Sequence, residues 1–329
     1  TAKQATKAKT PDGNRLSHAM RNHMQTNGCA RGLNVLSLPT VAFFAALAGR
    51  CLPPPPRPRA CGGVSPFAAC FGRAPARGAA NQQYEVTRLY TAFATVYDRL
   101  MADVNYPAWA AFYQTLLTLY GLRTGKLCEC ACGTGSFTIP LCGMGYQMTG
   151  VDLSEEMLFE ASQKARKAGA MIPFVKQDMR GLRLHRQMDA VLCTCDGVNY
   201  LPTQEDVLQF FTAAFQAVRP GGALIFDAST PYKLREVLGC SFVGDETADI
   251  AYLWKNTYHA DRGSVDMALS IFVRSHDETY ERISEQQTQY GYAIETFEAL
   301  LTQAGFADIR VFGDGTFAPP SATEQRWHI

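Results

Sequence analysis

The chain has 329 residues, of which 47% are hydrophobic, and its formal net charge is +1. This length and apolar content can support one large folded domain or two small ones, while the near-neutral charge selects no class of partner. Eleven cysteines do not indicate a secreted disulfide framework, because five lie in predicted buried strands or at their ends, and they favour a reducing compartment. These five are Cys128, Cys130, Cys132, Cys193 and Cys195.

The charge is unevenly distributed along the chain. Residues 1–82 contain eleven of the 31 Lys and Arg residues but a single acid, Asp12, so the rest of the chain is acidic. A proline run from Pro53 to Pro56 favours extended polyproline II, and little in the segment repeats at a helical or strand period. We therefore predict that residues 1–82 are disordered. Their apolar stretch, residues 41–49, is too short to span a bilayer.

Three origins of this basic segment are compatible with its composition. It is rich in Arg and poor in acids, as organellar transit peptides are, and residues 41–48 could be the apolar region of a secretory signal. The third origin, which we favour, is an upstream stretch wrongly joined to the reading frame, since the chain starts at Thr1. We predict a cytoplasmic protein, or an organellar one if the segment is a genuine transit peptide. Its scattered basic residues argue against a nucleic-acid-binding tail.

From residue 84 the sequence reads as helices and short strands. Two helices are predicted first, over residues 84–101 and 107–120, and the second starts at a proline, which suits a first helical turn. Short apolar strands then alternate with helices, which predicts a parallel sheet covered on both faces. The predicted strands are 126–131, 147–151, 172–175, 188–193 and 223–226, and the helices between them are 136–144, 154–168 and 204–218.

The alternation of strands and helices ends after the fifth strand. Residues 250–258, 264–274 and 279–290 alternate apolar with polar residues over longer stretches, with turn residues between them. We predict that these are antiparallel strands of an insertion over residues 240–290, which forms a lid or a wall for the substrate.

The last part of the chain returns to the central sheet. A helix is predicted over residues 295–304, and strands over 307–312 and 326–329. The predicted fold is α/β, Rossmann-like and doubly wound, with a mainly parallel seven-stranded sheet. The predicted domain spans residues 83–329.

A glycine-rich turn follows the first strand of this domain. Gly133 and Gly135 stand between that strand and a helix, where a missing Cβ lets backbone N–H groups approach a ligand closely. Asp152 ends the next strand, from which a carboxylate can accept hydrogen bonds from two ribose hydroxyls. The glycine turn and Asp152 together therefore predict a cofactor that contains adenosine.

Two further features distinguish between adenosine cofactors. The turn that binds a dinucleotide has the pattern Gly-x-Gly-x-x-Gly, and in this chain Thr138 occupies the position of the third glycine. Glu129 lies inside the first strand, where its carboxylate would repel a pyrophosphate but would hold a cofactor with a free amino group. Both features disfavour a nicotinamide-dependent oxidoreductase, which nevertheless remains an alternative at this point. Another is a non-catalytic module that binds the same cofactor.

Four motifs in this order resemble the class I S-adenosylmethionine-dependent methyltransferases. The motifs are Glu129-x-Ala131-Cys132-Gly133-Thr134-Gly135, Gly150-Val151-Asp152-Leu153-Ser154, Gln177-Asp178-Met179 and Pro220-Gly221-Gly222, and the likeness covers residues 84–329. It is strongest to bacterial enzymes that act on small molecules, including aminosugar N,N-dimethyltransferases, which share a helix like Tyr97-Asp98-Arg99-Leu100-Met101. One departure is Glu129, because many members have Asp at this position.

The resemblance implies a role for each matched position. The cofactor S-adenosylmethionine would contact Glu129, Cys132, Gly133, Thr134, Gly135, Asp152, Leu153, Met157, Asp178, Met179 and Cys195. Glu129 and the glycine turn would hold its methionyl end, Asp152 its ribose and Asp178 its adenine. Asn199 and Tyr200 would contact the substrate, Asp196 would accept a proton, and Tyr97 would face the methyl group.

Simpler readings of some of these residues stay open. Asp152 could be a neighbour of a helix cap, Asp178 a solvated acid, and Tyr97 a core residue of its helix. We predict no metal site, because Cys128, Cys130 and Cys132 alternate along one strand and converge poorly on a tetrahedral ion. The predicted partners are a small-molecule substrate and a second copy of the chain, with neither nucleic acid nor membrane.

Overall fold

A computed structural model describes residues 93–329 of the chain, except residues 276 and 278. The predicted disordered segment, residues 1–82, therefore lies outside the described residues, as does the first part of the helix predicted over 84–101. The second part of that helix, residues 93–100, is helical and is called α1.

The described elements follow the predicted order closely. The other helices are α2 (Tyr106–Leu119), α3 (Thr138–Gly143), α4 (Glu155–Lys167), α5 (Gln204–Ala217) and α6 (Ile294–Ala304). The strands are β1 (Lys126–Cys130), β2 (Gln147–Asp152), β3 (Phe174–Lys176), β4 (Met188–Cys193), β5 (Val218–Ser229), β6 (Phe242–Glu246), β7 (Ile250–His259), β8 (Ser264–Arg274), β9 (Tyr280–Tyr290) and β10 (Arg326–His328).

The central sheet has six strands in the order β10-β5-β4-β1-β2-β3. All its pairs are parallel except β10 with β5, which is antiparallel. The order reverses direction at β1 and β4, and in open α/β sheets ligands bind at this switch point, beyond the carboxyl ends of the strands. The Rossmann-like, doubly wound prediction is confirmed.

The seventh predicted strand, residues 307–312, is absent from the described part of the sheet. Only Phe312 bridges to His328. Asp308 has a φ of 55°, in the left-handed region that an extended strand does not use, and its carboxylate pairs with Arg310 two residues later. This local turn replaces the strand.

Aromatic and aliphatic side chains cover both faces of the central sheet. On one face, α5 and α6 pack Phe211 and Phe297 against Phe226 of β5. On the other face, Trp109 and Tyr113 of α2 pack with other apolar residues of that side. Both faces are therefore buried, which agrees with the apolar runs of the parallel strands.

The insertion forms a separate antiparallel sheet in the order β6-β7-β8-β9. Its strands β7, β8 and β9 lie where the alternating pattern predicted them. The first strand, β6, was not predicted, because most of its residues are exposed and its sequence shows no alternation. One face of this sheet is apolar and packs Trp254, Met267 and Ile283 with Phe93 and Val96 of α1.

Candidate active site

The loop after β1 has the backbone conformation that its glycines permit. Gly133 and Gly135 have φ values of 52° and 71°, and Ala131 also has a positive φ, of 54°. A Cβ on Gly135 would lie 3.1 Å from Cβ of Ala161, so this glycine lets α4 pack closely. A Cβ on Gly133 would meet nothing within 4 Å, so this glycine faces open space where a ligand could approach the backbone.

Asp152 lies beside this glycine loop at the end of β2. Its Oδ2 accepts a hydrogen bond from the backbone N–H of Gly133 at 2.8 Å, and its Oδ1 accepts one from Ser154 at 2.9 Å. Burial raises the pKa of the Asp152 carboxyl above its usual value, although these backbone donors partly oppose the effect. Asp152 therefore joins the two loops that bound the predicted ribose site.

Glu129 is a buried acid whose hydrogen-bond donors are neutral. Its side chain accepts hydrogen bonds from the hydroxyls of Thr138 and Thr194, the latter at 2.7 Å, and the residue is 1% exposed. Burial raises its pKa to about 8, more than the two hydroxyls lower it. Sequence reasoning missed both threonines, although Thr138 occupies the position that a dinucleotide turn gives to glycine. A buried carboxylate of this kind suits a positively charged amino group.

The N-terminal helix α1 is tied to the glycine loop by Asp98. Its carboxylate accepts hydrogen bonds from Thr134 at 2.7 Å and Ser136 at 3.1 Å, and it pairs with Lys164 at 2.5 Å. The neighbouring Tyr97 is half-buried, and its phenol lies within electrostatic range of Tyr106, Cys195 and Tyr200. The Tyr97-Asp98 motif thus brings α1 to the same edge of the sheet as β1 and β4.

The loop after β4 contains two consecutive residues in the left-handed region. Cys195 and Asp196 have φ values of 59° and 60°, which is strained for residues with a Cβ. Their backbone N–H groups donate to the two oxygens of Asp227, at 3.0 and 2.8 Å. Asp227 therefore holds the strained loop in place from the end of β5.

Asp196 is a buried carboxylate with two cationic neighbours. Its Oδ2 lies 3.0 Å from Arg326 and 3.5 Å from Lys233, and its side chain is 2% exposed. Burial alone would raise the pKa of Asp196, but the charges of Arg326 and Lys233 outweigh burial and hold it below its usual value. Its Oδ1 has no hydrogen-bond partner among the described residues. Asp196 is thus a permanent carboxylate with one unengaged oxygen.

Arg326 connects this loop to the last strand. It is fully buried and pairs with Asp227 at 2.5 Å as well as with Asp196, while its guanidinium lies 5.1 Å from the ring of Trp109. Tyr113 donates a hydrogen bond to Asp227 at 2.9 Å. Sequence reasoning missed Arg326 and Asp227. A lone acid at the end of an apolar strand was the available signal for Asp227.

The side-chain amide of Asn199 is hydrogen-bonded to backbone groups of two strands. Its amide nitrogen donates to the backbone carbonyls of Ser229 and Tyr290, at 3.0 and 2.9 Å, and its oxygen accepts from the N–H of Ser229 at 2.8 Å. The residue is 0% exposed. This geometry favours a role in joining β5 and β9 over the predicted contact with substrate. Tyr200, by contrast, is 42% exposed and donates to Gln287 of β9 at 2.9 Å.

The remaining predicted cofactor residues lie around the ends of β2 and β3. Asp178 is engaged by Arg180, which lowers the pKa of the Asp178 carboxyl and also pairs with Asp206 at 2.6 Å. Leu153 is 62% exposed. Cys132 is buried, and Met157 and Met179 are partly buried against apolar clusters.

Two negative observations apply to the described residues, which are 93–329 without 276 and 278. No group of three or more His, Cys, Asp or Glu side chains is placed to hold a metal ion in this range. No helix in the same range is long and apolar enough to cross a bilayer.

One cavity, of about 240 Å³, is lined by residues such as Gly221, Phe306 and His328, and none of the predicted site residues lines it.

Comparison with known proteins agrees with this geometry. A methyltransferase domain family matches residues 127–222. The Bacillus subtilis methyltransferase-family protein YqeM is 37% identical over 239 residues, which are 72% of this chain and 94% of that protein. The solved structure of an S-adenosylmethionine-dependent methyltransferase from Clostridium acetobutylicum is 31% identical, with a TM-score of 0.66, and the match covers 73% of this chain and 96% of that one.

The chain therefore belongs to the S-adenosylmethionine-dependent methyltransferases. It is an enzyme of methyl transfer, and this membership overrules the nicotinamide alternative and the non-catalytic one. The sugar N-methyltransferase KedS8 from Streptoalloteichus shares the fold, at 18% identity and a TM-score of 0.56 over 83% of this chain and 98% of that one. The resemblance stated from the four motifs is confirmed.

Proposed function

We propose that this enzyme transfers the methyl group of S-adenosylmethionine to a nitrogen or oxygen of a small molecule by in-line displacement. The observation that carries the proposal is the meeting of Glu129, Asp152 and the loop of Cys195 and Asp196 at one edge of the sheet. These groups lie at the carboxyl ends of adjacent strands β1, β2 and β4, where such sheets bind ligands.

The residues present fit the proposed cofactor. Glu129 is a buried carboxylate without an ion-pair partner in the described chain, and it would bind the charged amino group of the methionyl end. The backbone of Gly133-Thr134-Gly135 would approach that end, and Asp152 would accept from the ribose. Asp178 would accept from the adenine amino group, with Met179 against the ring and Leu153 and Met157 beside it. When bound, the cofactor supplies a sulfonium methyl group that is already a strong electrophile.

The chain's own residues then align the acceptor and exclude water. Cys195 faces the sulfonium side of the site in this proposal, and Tyr97 and Tyr200 offer aromatic faces and hydroxyls to the acceptor. An aromatic face next to the methyl group stabilises its positive charge by cation–π contact. Asp196, which stays ionised, binds positive charge developing on an acceptor nitrogen, directly or through water. A homodimer remains a prediction.

Calorimetric titration of the full chain with S-adenosylmethionine tests the proposal. We expect saturable binding, and formation of S-adenosylhomocysteine when a small-molecule acceptor is present. Tyr97→Phe should retain cofactor affinity, whereas Tyr97→Ala should lower kcat by about tenfold, because it removes the ring worth roughly 1 kcal/mol or more to the cation. Equal kcat in Tyr97→Ala and the parent would place Tyr97 in the core alone.

The raised pKa of Glu129 makes cofactor binding depend on pH. Below about pH 8 the free protein keeps Glu129 protonated, whereas a bound ammonium group requires its carboxylate, so binding releases a proton. Affinity should therefore rise between about pH 6 and pH 7.5, by up to about tenfold per pH unit. Calorimetry in buffers of different ionisation enthalpy measures this proton release.

Glu129→Gln provides the control for that pH dependence. The substitution removes the titrating carboxyl but keeps one oxygen that can accept from a threonine hydroxyl, while its amide nitrogen can donate to the oxygen of the other threonine. It should weaken cofactor binding and abolish the proton release over this range. Release of the same number of protons in Glu129→Gln would show that another group titrates.

A further inference from the structure

A polar stripe interrupts the apolar inner face of the insertion sheet. Side chains two residues apart on a strand point to the same face, so Glu285, Gln287 and Gln289 of β9 share the face of Ile283. Glu285 is 3% exposed and Gln289 is 6% exposed. The sequence pattern did not single out these residues, since alternation predicts that an inward position is apolar.

The stripe lies against the loop that follows β4. Tyr200 donates a hydrogen bond to Gln287 at 2.9 Å, and Asn199 donates to the backbone carbonyl of Tyr290 at 2.9 Å. The negative charges of both Glu285 and Asp196 act on the phenol of Tyr200. The stripe therefore forms a wall of the acceptor side of the site, with the charge of Asp196 close to the same phenol.

Glu285 lacks a cationic partner in the part of the chain that the structure describes. Its carboxyl hydrogen-bonds to the side chain of Gln287, and burial raises the pKa of the Glu285 carboxyl. Asp196, in comparison, has Arg326 and Lys233 beside it. A carboxyl buried without a cation destabilises a fold, and such groups are retained where a ligand provides the opposite charge.

We propose that Glu285 binds a positively charged amino group of the methyl acceptor, and that the acceptor is therefore a small molecule with a basic amine. The inference rests on the proposed function and names the substrate class for the same site. In this proposal Glu285 binds the substrate, and its carboxylate takes no part in the transfer of the methyl group. Gln287, Gln289 and Tyr200 provide hydrogen-bonding groups around the bound amine.

Matched probes test the preference for amines. The full chain, saturated with S-adenosylhomocysteine, is titrated with ethanolamine, spermidine and glucosamine, and with the alcohols ethylene glycol, 1,8-octanediol and glucose. We expect at least one amine to bind at least about tenfold more tightly than its alcohol, since a hydrogen bond to a charged group is the stronger kind. Glu285→Gln should remove this preference while affinity for S-adenosylhomocysteine stays unchanged.

Glu281→Gln is the matched control, because Glu281 is an exposed acid on the same strand. It should keep the preference for amines, although it makes the same change in net charge. Thermal unfolding should show Glu285→Gln at least as stable as the parent, since the substitution removes a buried charge; a purely structural carboxylate would instead lower the midpoint.

Three results have different meanings. If the chain fails to bind S-adenosylmethionine or S-adenosylhomocysteine, the proposed function fails. If it binds the cofactor and Glu285→Gln keeps the preference for amines, only the role of Glu285 is overturned. If the cofactor binds and no amine binds more tightly than its alcohol, the inferred substrate class is likewise overturned.

Discussion

Arg326→Leu should lower the free energy of unfolding by about 3–5 kcal/mol, because removing one partner of a buried ion pair leaves the other charge buried. Here Asp227 loses its ion-pair partner and Asp196 keeps only Lys233, since Arg326 pairs with both carboxylates. The guanidinium also lies over the ring of Trp109, so leucine loses that contact as well. Urea denaturation of the full chain, followed by far-UV circular dichroism, measures the change.

A partly exposed arginine provides the comparison for Arg326. Arg310 pairs with Asp308 at the surface, where an ion pair contributes about 1 kcal/mol or less. Arg310→Leu should therefore leave the unfolding midpoint nearly unchanged. The double variant Arg326→Leu with Asp227→Asn should recover part of the lost stability, because it removes the carboxylate that Arg326→Leu leaves without an ion-pair partner. If Arg326→Leu lost no more unfolding free energy than Arg310→Leu, the stabilising role proposed for the buried ion pairs of Arg326 would be contradicted.

Asp152→Ala should reduce affinity for S-adenosylmethionine by about 10²–10⁴-fold. The proposed carboxylate accepts hydrogen bonds from two ribose hydroxyls, and hydrogen bonds to a charged group contribute roughly 1.5–3 kcal/mol each. The same carboxylate also accepts from the backbone of Gly133 and Ser154, so its loss loosens the glycine loop. Calorimetric titration with the cofactor measures the affinity.

Two further variants separate these contributions. Asp152→Asn keeps one oxygen that can accept from the backbone but removes the charge, so it should retain the fold and still bind weakly. Glu155→Ala removes an exposed acid three residues away, whose partner is Lys176, and should bind normally. Normal affinity in Asp152→Ala, with an unchanged circular dichroism spectrum, would refute the ribose role.

The elements with strong local patterns were predicted well from the sequence. The helix predicted over residues 154–168 forms α4, and its N-cap is Ser154, whose hydroxyl accepts from the N–H of Met157 at 3.1 Å. The helix predicted over residues 295–304 forms α6 and ends at Gly305, whose φ of 109° is in the region that glycine tolerates. These features depend on neighbouring residues, so a sequence pattern is sufficient to find them.

Elements whose patterns are weak or misleading were placed less well. The segment Arg219-Pro220-Gly221-Gly222 lies between the helix predicted over residues 204–218 and the strand predicted over 223–226, yet it belongs to β5. The pairing of β4 and β5 shifts register between Met188 and Ala190, and this irregularity accommodates the extra residues. A proline and two glycines look like a turn in any local pattern, although a bulged strand tolerates them.

The sequence alone determined the order of strands and helices and the glycine turn with its acid at Asp152, and it predicted a cofactor that contains adenosine. Each of these follows from residues close together in the chain, whose periodicity and turn chemistry act locally. Only the tertiary structure decided which charges are paired. Arg326 reaches Asp196 across 130 positions, and Glu285 has no such partner among the described residues, because these distances depend on how distant strands register and pack.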